Sequence, residues 1–207
     1  MTATDAVQRP ARRRAPSRGD LREQAILDGA RALLGTRPLS QLTIDELAGA
    51  AGISRSSFYF YFDSKQAVLA ALLDGISADL AADSAPWLDG TGPDEQALRA
   101  ATTATVALWR AHGGLLRQAW RGDGADAQLA AWRNGVLERS TARTAARIER
   151  DRAAGLAPEG PPSARVLARM LLGMKNDLLA EHPADGDDAA LVEDLVAATL
   201  RLLYGRS

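Results

Sequence analysis

Residues 42–73 read LTIDELAGAAGISRSSFYFYFDSKQAVLAALL, and their capping residues and glycines predict short helices joined by tight turns. Thr43 and Glu46 form a T-x-x-E capping box, in which the hydroxyl and the carboxylate each satisfy a free backbone amide at a helix start. A short helix over residues 44–51 follows. It ends at Gly52, because a glycine after a small residue lets the chain reverse sharply.

A second short helix is predicted over residues 54–62, since Ser54 can cap its start and residues 63–64 cap the next helix. Two short helices joined by a tight turn form a helix-turn-helix unit, which places the start of its second helix in the major groove of DNA. Short or flexible hydrogen-bond donors at that position can reach base edges and phosphates. We therefore expect groove contacts from Ser54, Arg55, Ser56, Ser57 and Tyr59.

Three further residues around this unit suit the DNA backbone. Tyr61 lies near the end of the second helix, where its hydroxyl can donate to a phosphate. Thr43 and Lys65 lie at helix starts, where backbone amides attract anions. All three are expected to contact phosphates.

The phenylalanines of the same stretch have a different role. Phe58 and Phe62 lie four residues apart on one helix face, which predicts that both join the core. Phe60 fits either the core or the edge of the groove.

The N-terminus concentrates positive charge. Five arginines in residues 1–18 face a single acid, Asp5, in a segment with almost no large apolar residues, which predicts a disordered basic arm. Basic arms ahead of a helix-turn-helix reach phosphates or the minor groove, and the alternative is a solvated tail. The expected DNA contacts are Arg12, Arg13 and Arg14.

Composition limits the other classes of function. The 207 residues carry a formal net charge of -1, no cysteine and two histidines, which excludes a thiolate metal site and leaves little for a zinc site or a serine–histidine hydrolase. The hydrolase motif G-x-S-x-G is approached only at residues 52–56, where the closing glycine is missing. Neither a signal peptide nor a membrane span is apparent. We expect a cytoplasmic protein with no catalytic residue, metal, cofactor or membrane contact.

Nearly every segment follows the helical period, which predicts an all-α fold of about nine helices. The basic arm covers residues 1–18, a three-helix helix-turn-helix domain 19–65, a connecting helix 66–82, and a larger helical domain 83–207. Clusters of Pro, Gly and Asp predict a break at residues 83–93, and Gly113 and Gly114 separate two further helices.

The run of residues 42–73 closely resembles the DNA-binding domain of the TetR family of bacterial repressors. That pattern joins a T-x-x-x-[IL]-A helix, an A-G-[VI]-S turn, a recognition helix ending in aromatic-Tyr-x-x-Phe, and x-S-K. The match covers about residues 20–75, and FYFYF-D-SK together with ERDRAAGLAP at residues 149–158 is similar to the EthR-type subgroup. The family usually has His where Tyr61 stands, and tyrosine keeps a hydrogen-bond donor there. The resemblance implies the same phosphate contacts by Thr43, Tyr61 and Lys65.

Two operator half-sites about one helical turn apart need two recognition helices, which predicts a homodimer. The helix at residues 189–203 is apolar around most of its circumference, so it has two faces to bury. The preceding helix has the same character, and a four-helix interface between two subunits is expected, as the resemblance also implies. The predicted interface residues are Met170, Leu171, Leu178, Leu191, Leu195, Ala198 and Leu202.

The resemblance further implies a cavity for a small effector in the larger domain. Tryptophans suit an apolar cavity wall, although each could equally pack in the core. Nearby asparagines and an aspartate could supply the polar groups, and an asparagine on an apolar helix could instead serve the dimer. The predicted lining residues are Trp109, Leu116, Trp120, Trp132, Asn134, Met170, Met174, Asn176 and Asp177.

Together these features predict a dimeric repressor that binds operator double-stranded DNA and is released by a small apolar effector. Effector binding in the larger domain is expected to act on the DNA-binding domain through the connecting helix. The alternatives are a DNA-binding protein without an effector, and an enzyme, for which the sequence offers no motif.

Overall fold

The computed structural model describes residues 17–121 and 127–205, and no strand occurs in these ranges. The all-α prediction is confirmed, with eight α-helices rather than about nine in the described ranges. None of these helices is both long and apolar enough to span a membrane. The helices are α1 (Arg18–Leu34), α2 (Ile44–Ala50), α3 (Arg55–Phe58), α4 (Lys65–Asp89), α5 (Glu95–Arg121), α6 (Ala127–Ala153), α7 (Ala164–Glu181) and α8 (Asp188–Tyr204).

The helix starts in the N-terminal half follow the sequence closely, because side-chain caps fix them. Ser17, Thr43, Ser54 and Ser64 cap α1 to α4 in turn. Phe58 and Phe62 are buried in the core that these helices share, which confirms their prediction. Phe60 lies on the opposite side with 87% of its surface exposed, so it belongs to the surface.

Helix α3 is shorter than predicted. It ends at Phe58, and the backbone amides of Tyr61 and Phe62 both donate to the carbonyl of Phe58, at 2.9 and 3.1 Å. The chain therefore tightens into a turn after four helical residues, and this turn returns Phe62 to the core.

Helix α4 is longer than predicted. It runs to Asp89 through Pro86, and the expected break shrinks to residues 90–94. A proline inside a helix costs about 3 kcal/mol. Trp87 and Leu88 are buried directly after it, and burial of two large apolar side chains offsets that cost.

Helix α5 crosses Gly113 and Gly114 without a break, so the two helices predicted there are one. The reason lies in tertiary packing against the end of α1. A Cβ atom at residue 114 would lie 2.3 Å from the Cα of Gly35, closer than any real contact. Gln118 also donates to the carbonyl of Leu34 at 2.6 Å. The glycine serves a backbone contact between the two halves of the molecule.

A buried charge cluster joins α6, α8 and the α4–α5 loop. Arg147 and Asp151 are both 0% exposed, with Nε and Oδ2 3.5 Å apart. Asp151 accepts from the backbone amide of Gly92 at 2.8 Å and from the Tyr204 hydroxyl at 2.6 Å. The Arg147 guanidinium lies 4.5 Å from the centre of the Trp87 ring. No pattern in the sequence indicates this cluster.

Because of this glycine contact, alanine substitutions at residues 113 and 114 should differ strongly in their effect on the free energy of unfolding. Gly114→Ala should destabilise the protein by about 1–3 kcal/mol, because the methyl group meets the α1 backbone. Gly113→Ala is the matched control, since its Cβ would meet only the flexible guanidinium of Arg117 and alanine favours a helix by up to about 1 kcal/mol. Urea unfolding measures both, and equal stabilities would contradict the contact.

Breaking the buried ion pair should cost more stability than breaking an exposed one. Asp151→Ala should cost about 3–5 kcal/mol, because it leaves Arg147 buried without a counter-charge. The control is Glu138→Ala, which breaks the exposed pair between Glu138 and Arg165 and should cost at most about 1 kcal/mol. Denaturant unfolding of the two variants compares them, and a small effect of Asp151→Ala would overturn the assignment.

Candidate functional site

The start of α3 presents a cluster of hydroxyl groups. Ser54 accepts from the backbone amide of Ser57 at 3.1 Å, which fixes the first turn of the helix. Its Oγ also lies 2.9 Å from the Oγ atoms of both Ser56 and Ser57. Ser54 and Ser56 are exposed, so these groups are available to a ligand on the surface.

Arg55 is the exposed cation beside this cluster. Its Nη1 lies 2.8 Å from Asp45 Oδ2 of α2, and the Tyr59 hydroxyl and Asp45 both raise the pKa of Arg55. Tyr59 is 45% exposed on the same side. An exposed ion pair contributes only about 0–1 kcal/mol, so the guanidinium can leave Asp45 for a stronger anionic partner.

The residues predicted to contact phosphates differ in their availability. Thr43 is exposed, but its hydroxyl donates to Glu46 Oε2 at 2.9 Å within the capping box. Its backbone amide also donates to Glu46, and this bond, followed by Arg37, lowers the pKa of Glu46 to about 2. Tyr61 is half-buried against the core.

Lys65 has a structural contact that the sequence did not predict. Its Nζ donates to the backbone carbonyls of Leu39, Ser40 and Leu42 at 2.9, 3.3 and 2.8 Å. A phosphate would have to replace one of these carbonyls, so its phosphate contact stays a prediction. Arg12, Arg13 and Arg14 lie outside the described residues.

A cavity of about 100 Å³ lies among α4, α5, α6 and α7. Its walls are mostly apolar, and all four tryptophans of the chain contribute to them. Trp109 and Trp120 are in edge contact with ring centres 5.5 Å apart, and Trp120 and Trp132 with centres 5.9 Å apart. Such a chain of rings gives the cavity one continuous aromatic side.

Some of the predicted lining residues reach this cavity and others do not. Trp109, Leu116, Trp120, Trp132 and Asn176 line it. The other four do not line this cavity, because the register of the helices turns their side chains elsewhere: Asn134, Met170 and Asp177 are exposed, and Met174 is partly buried against the core.

Most of the lining residues were missed, and Trp87 and Lys175 are the two that matter most for the chemistry of the cavity. Trp87 falls within the break predicted at residues 83–93, but it lies in α4. Lys175 is the single charged side chain among the described lining residues. The spacing of Leu172, Lys175 and Leu179 on α7 is the signal that could have found it, since all three share one helix face.

The residues predicted for the dimer interface divide into two groups. Leu171 and Leu195 are buried inside the chain's own core, so assigning them to a partner was wrong. Met170, with 55% of its surface exposed, and Leu178 lie on the outer surface of α7 beside the exposed Val166. Leu191, Ala198 and Leu202 of α8 are partly buried. A helix that is apolar all round does not reveal from sequence which face turns inward.

The chain is similar to known proteins over nearly its whole length. Residues 26–72 match the family described as bacterial regulatory proteins, tetR family, and residues 98–205 match the C-terminal domain of the transcriptional regulator EthR. The HTH-type transcriptional regulator EthR of Mycobacterium tuberculosis is 31% identical over 210 residues, covering 99% of this chain and 97% of that protein. The chain belongs to the TetR family. This TetR-family protein is therefore a DNA-binding transcriptional regulator of the EthR-like group.

Solved structures share the fold of this TetR-family protein. The fatty acid degradation regulator FadR from Bacillus halodurans superimposes with a TM-score of 0.73 at 18% identity, covering 91% of this chain and 97% of that one. FadR from Bacillus subtilis, solved in complex with stearoyl-CoA, superimposes with a TM-score of 0.71 at 16% identity, covering 89% and 99%. At these identities the likeness concerns the fold alone.

The exposed position of Arg55 predicts a role in DNA binding. Arg55→Ala should weaken binding to the DNA upstream of the protein's own gene by about 1–3 kcal/mol, as expected for loss of a base or phosphate contact. Arg165→Ala is the matched control, because the side chains of Arg55 and Arg165 are 57% and 58% exposed and both are ion-paired. Fluorescence anisotropy with labelled DNA gives both affinities, and equal losses would refute a specific role for Arg55.

Proposed function

We propose that this protein is a dimeric repressor that is released from its operator when a small apolar molecule fills the α4–α7 cavity. The single observation that supports this function is the continuity of α4. The helix begins at the Ser64 cap beside the DNA-binding unit and ends at Asp89 beside the cavity. One rigid element therefore belongs to both sites.

The two ends of α4 pack on different partners. Val68, Leu69 and Leu72 are buried in the core next to the helix-turn-helix unit. Ile76, Leu80 and Ser84 follow at intervals of four residues and line the cavity. A displacement of the cavity wall is thus also a displacement of the helix that carries the DNA-binding unit.

The cavity is smaller than an ordinary ligand pocket, so a ligand must enlarge it. Pockets for small molecules commonly measure about 300–1,000 Å³, whereas this cavity holds about 100 Å³. A ligand of ordinary size must move α4 to α7 apart, and it shifts the equilibrium toward that state by its difference in affinity for the two states.

The proposed dimer uses the outer surface of α7 together with α8. Val166, Met170 and Leu178 expose a row of large apolar side chains there, and such rows mark contact surfaces. Two copies joined in this way carry two α3 helices, as a palindromic operator requires.

The proposal is tested with a panel of fatty acids of four to eighteen carbons, their methyl esters and stearoyl-CoA. At least one member should release the protein from its upstream DNA, as read by fluorescence anisotropy. Ala101→Leu adds three carbon atoms to the buried cavity wall and should reduce the response to that member at least about tenfold, the scale of losing one good apolar fit of 1–3 kcal/mol. Ala111→Leu, an exposed position on the same helix, is the control and should respond as the wild type does. DNA binding that no panel member alters would favour a regulator without such an effector.

A further inference from the structure

Lys175 is a charged residue in an apolar environment. It lines a cavity whose other described lining residues are apolar or uncharged, and no aspartate or glutamate is among them. Burial in this environment lowers the pKa of Lys175 to about 8. The amine is still mostly protonated at neutral pH, so a positive charge lies at the wall of an apolar cavity.

No group of the described chain pairs with this charge. Lys175 makes no hydrogen bond or ion pair within residues 17–121 and 127–205, and its pKa shift has burial as its only cause. An ammonium group offers three donors and no acceptor. Charges inside proteins are ordinarily paired, because an unpaired one loses its hydration without compensation.

Three other polar groups of the wall are already paired. Ser84 and Thr105 donate to carbonyls of their own helices, Leu80 and Ala101, at 2.7 and 2.8 Å. The Trp132 indole donates to the carbonyl of Leu73 and to Ser77 Oγ, at 3.1 and 2.9 Å. Lys175 is thus the charged donor that remains for a molecule inside the cavity.

The cavity wall has a second donor without an acceptor. The indole N–H of Trp87, a buried residue that also lines the cavity, has no hydrogen-bond partner among the described residues. Lys175 and the Trp87 indole can only donate, whereas the hydroxyl and amide side chains of the wall can both donate and accept. An entering molecule that brings acceptors and negative charge is therefore favoured over one that brings only donors.

We propose that the molecule recognised by this cavity is an acid, with an apolar body held by the four tryptophans and a carboxylate paired with Lys175. This inference rests on the proposed function, and it narrows the chemical class of the effector from apolar molecules in general to apolar monocarboxylates. Charge-assisted hydrogen bonds of this kind are the strong ones, and they grow stronger where water is excluded.

The test compares hexanoate with methyl hexanoate, which share the apolar body and differ in the charge. Binding is followed by quenching of tryptophan fluorescence, because all four tryptophans of the chain line the cavity. The wild type should bind hexanoate at least tenfold more tightly than the ester. Lys175→Met should lose at least tenfold in affinity for hexanoate and keep its affinity for the ester within threefold.

Lys175→Arg keeps a positive charge and should keep the preference for hexanoate, while circular dichroism checks that both variants retain the helical fold. Equal binding of acid and ester by the wild type, or a preference that survives in Lys175→Met, would overturn the inference and leave the proposed function standing. Tighter binding of the ester would also overturn it. If neither probe binds and no panel member releases the DNA, the inference and the proposed effector function fail together.

Discussion

Helix α4 runs unbroken from the helix-turn-helix unit to the cavity, so the packing of both sites is tied to one element. A helix of 25 residues is long enough for one element to reach both sites. Its first turns complete the core around Phe58 and Phe62, and its last turns form one side of the cavity. Trp87 and Leu88, buried directly after Pro86, stabilise this continuity.

The helix-turn-helix unit could be predicted in detail because its signals are local. Serine and threonine caps, a turn at Gly52 with a φ of 66°, and two phenylalanines four residues apart all act within one or two turns of chain. The breaks predicted at residues 83–93 and at Gly113–Gly114 were misplaced for the opposite reason. In both places a contact with a distant part of the chain outweighs the local preference of proline or glycine.

The residues that line the cavity could be predicted only in part. Tryptophan content pointed to the right helices, but the orientation of each helix about its own axis depends on its neighbours. Asn176 therefore lines the cavity while the adjacent Asp177 is exposed, and Lys175 was overlooked. The pair of Arg147 and Asp151 was equally inaccessible to sequence reasoning, since an arginine and an aspartate four residues apart usually mark an exposed helix face.

The cluster around Arg147 also connects the cavity to the end of the chain. Trp87 forms part of the cavity wall, Arg147 lies against its ring, and Asp151 joins both to Tyr204 at the end of α8. Burial, reinforced by the hydrogen bond to Asp151, raises the pKa of Tyr204 to about 12, so its hydroxyl remains a donor over the whole physiological range. The hydroxyl at the α8 end of this link thus keeps its proton throughout.

The contact between Gly35 and Gly114 has a mechanical consequence. Most helix contacts interlock through side-chain ridges, and sliding one past another requires several rotamers to change together. Here two backbones meet with no side chain between them. Neither Gly35 nor Gly114 therefore has a side-chain rotamer that must change when α1 and α5 shift relative to each other at this point.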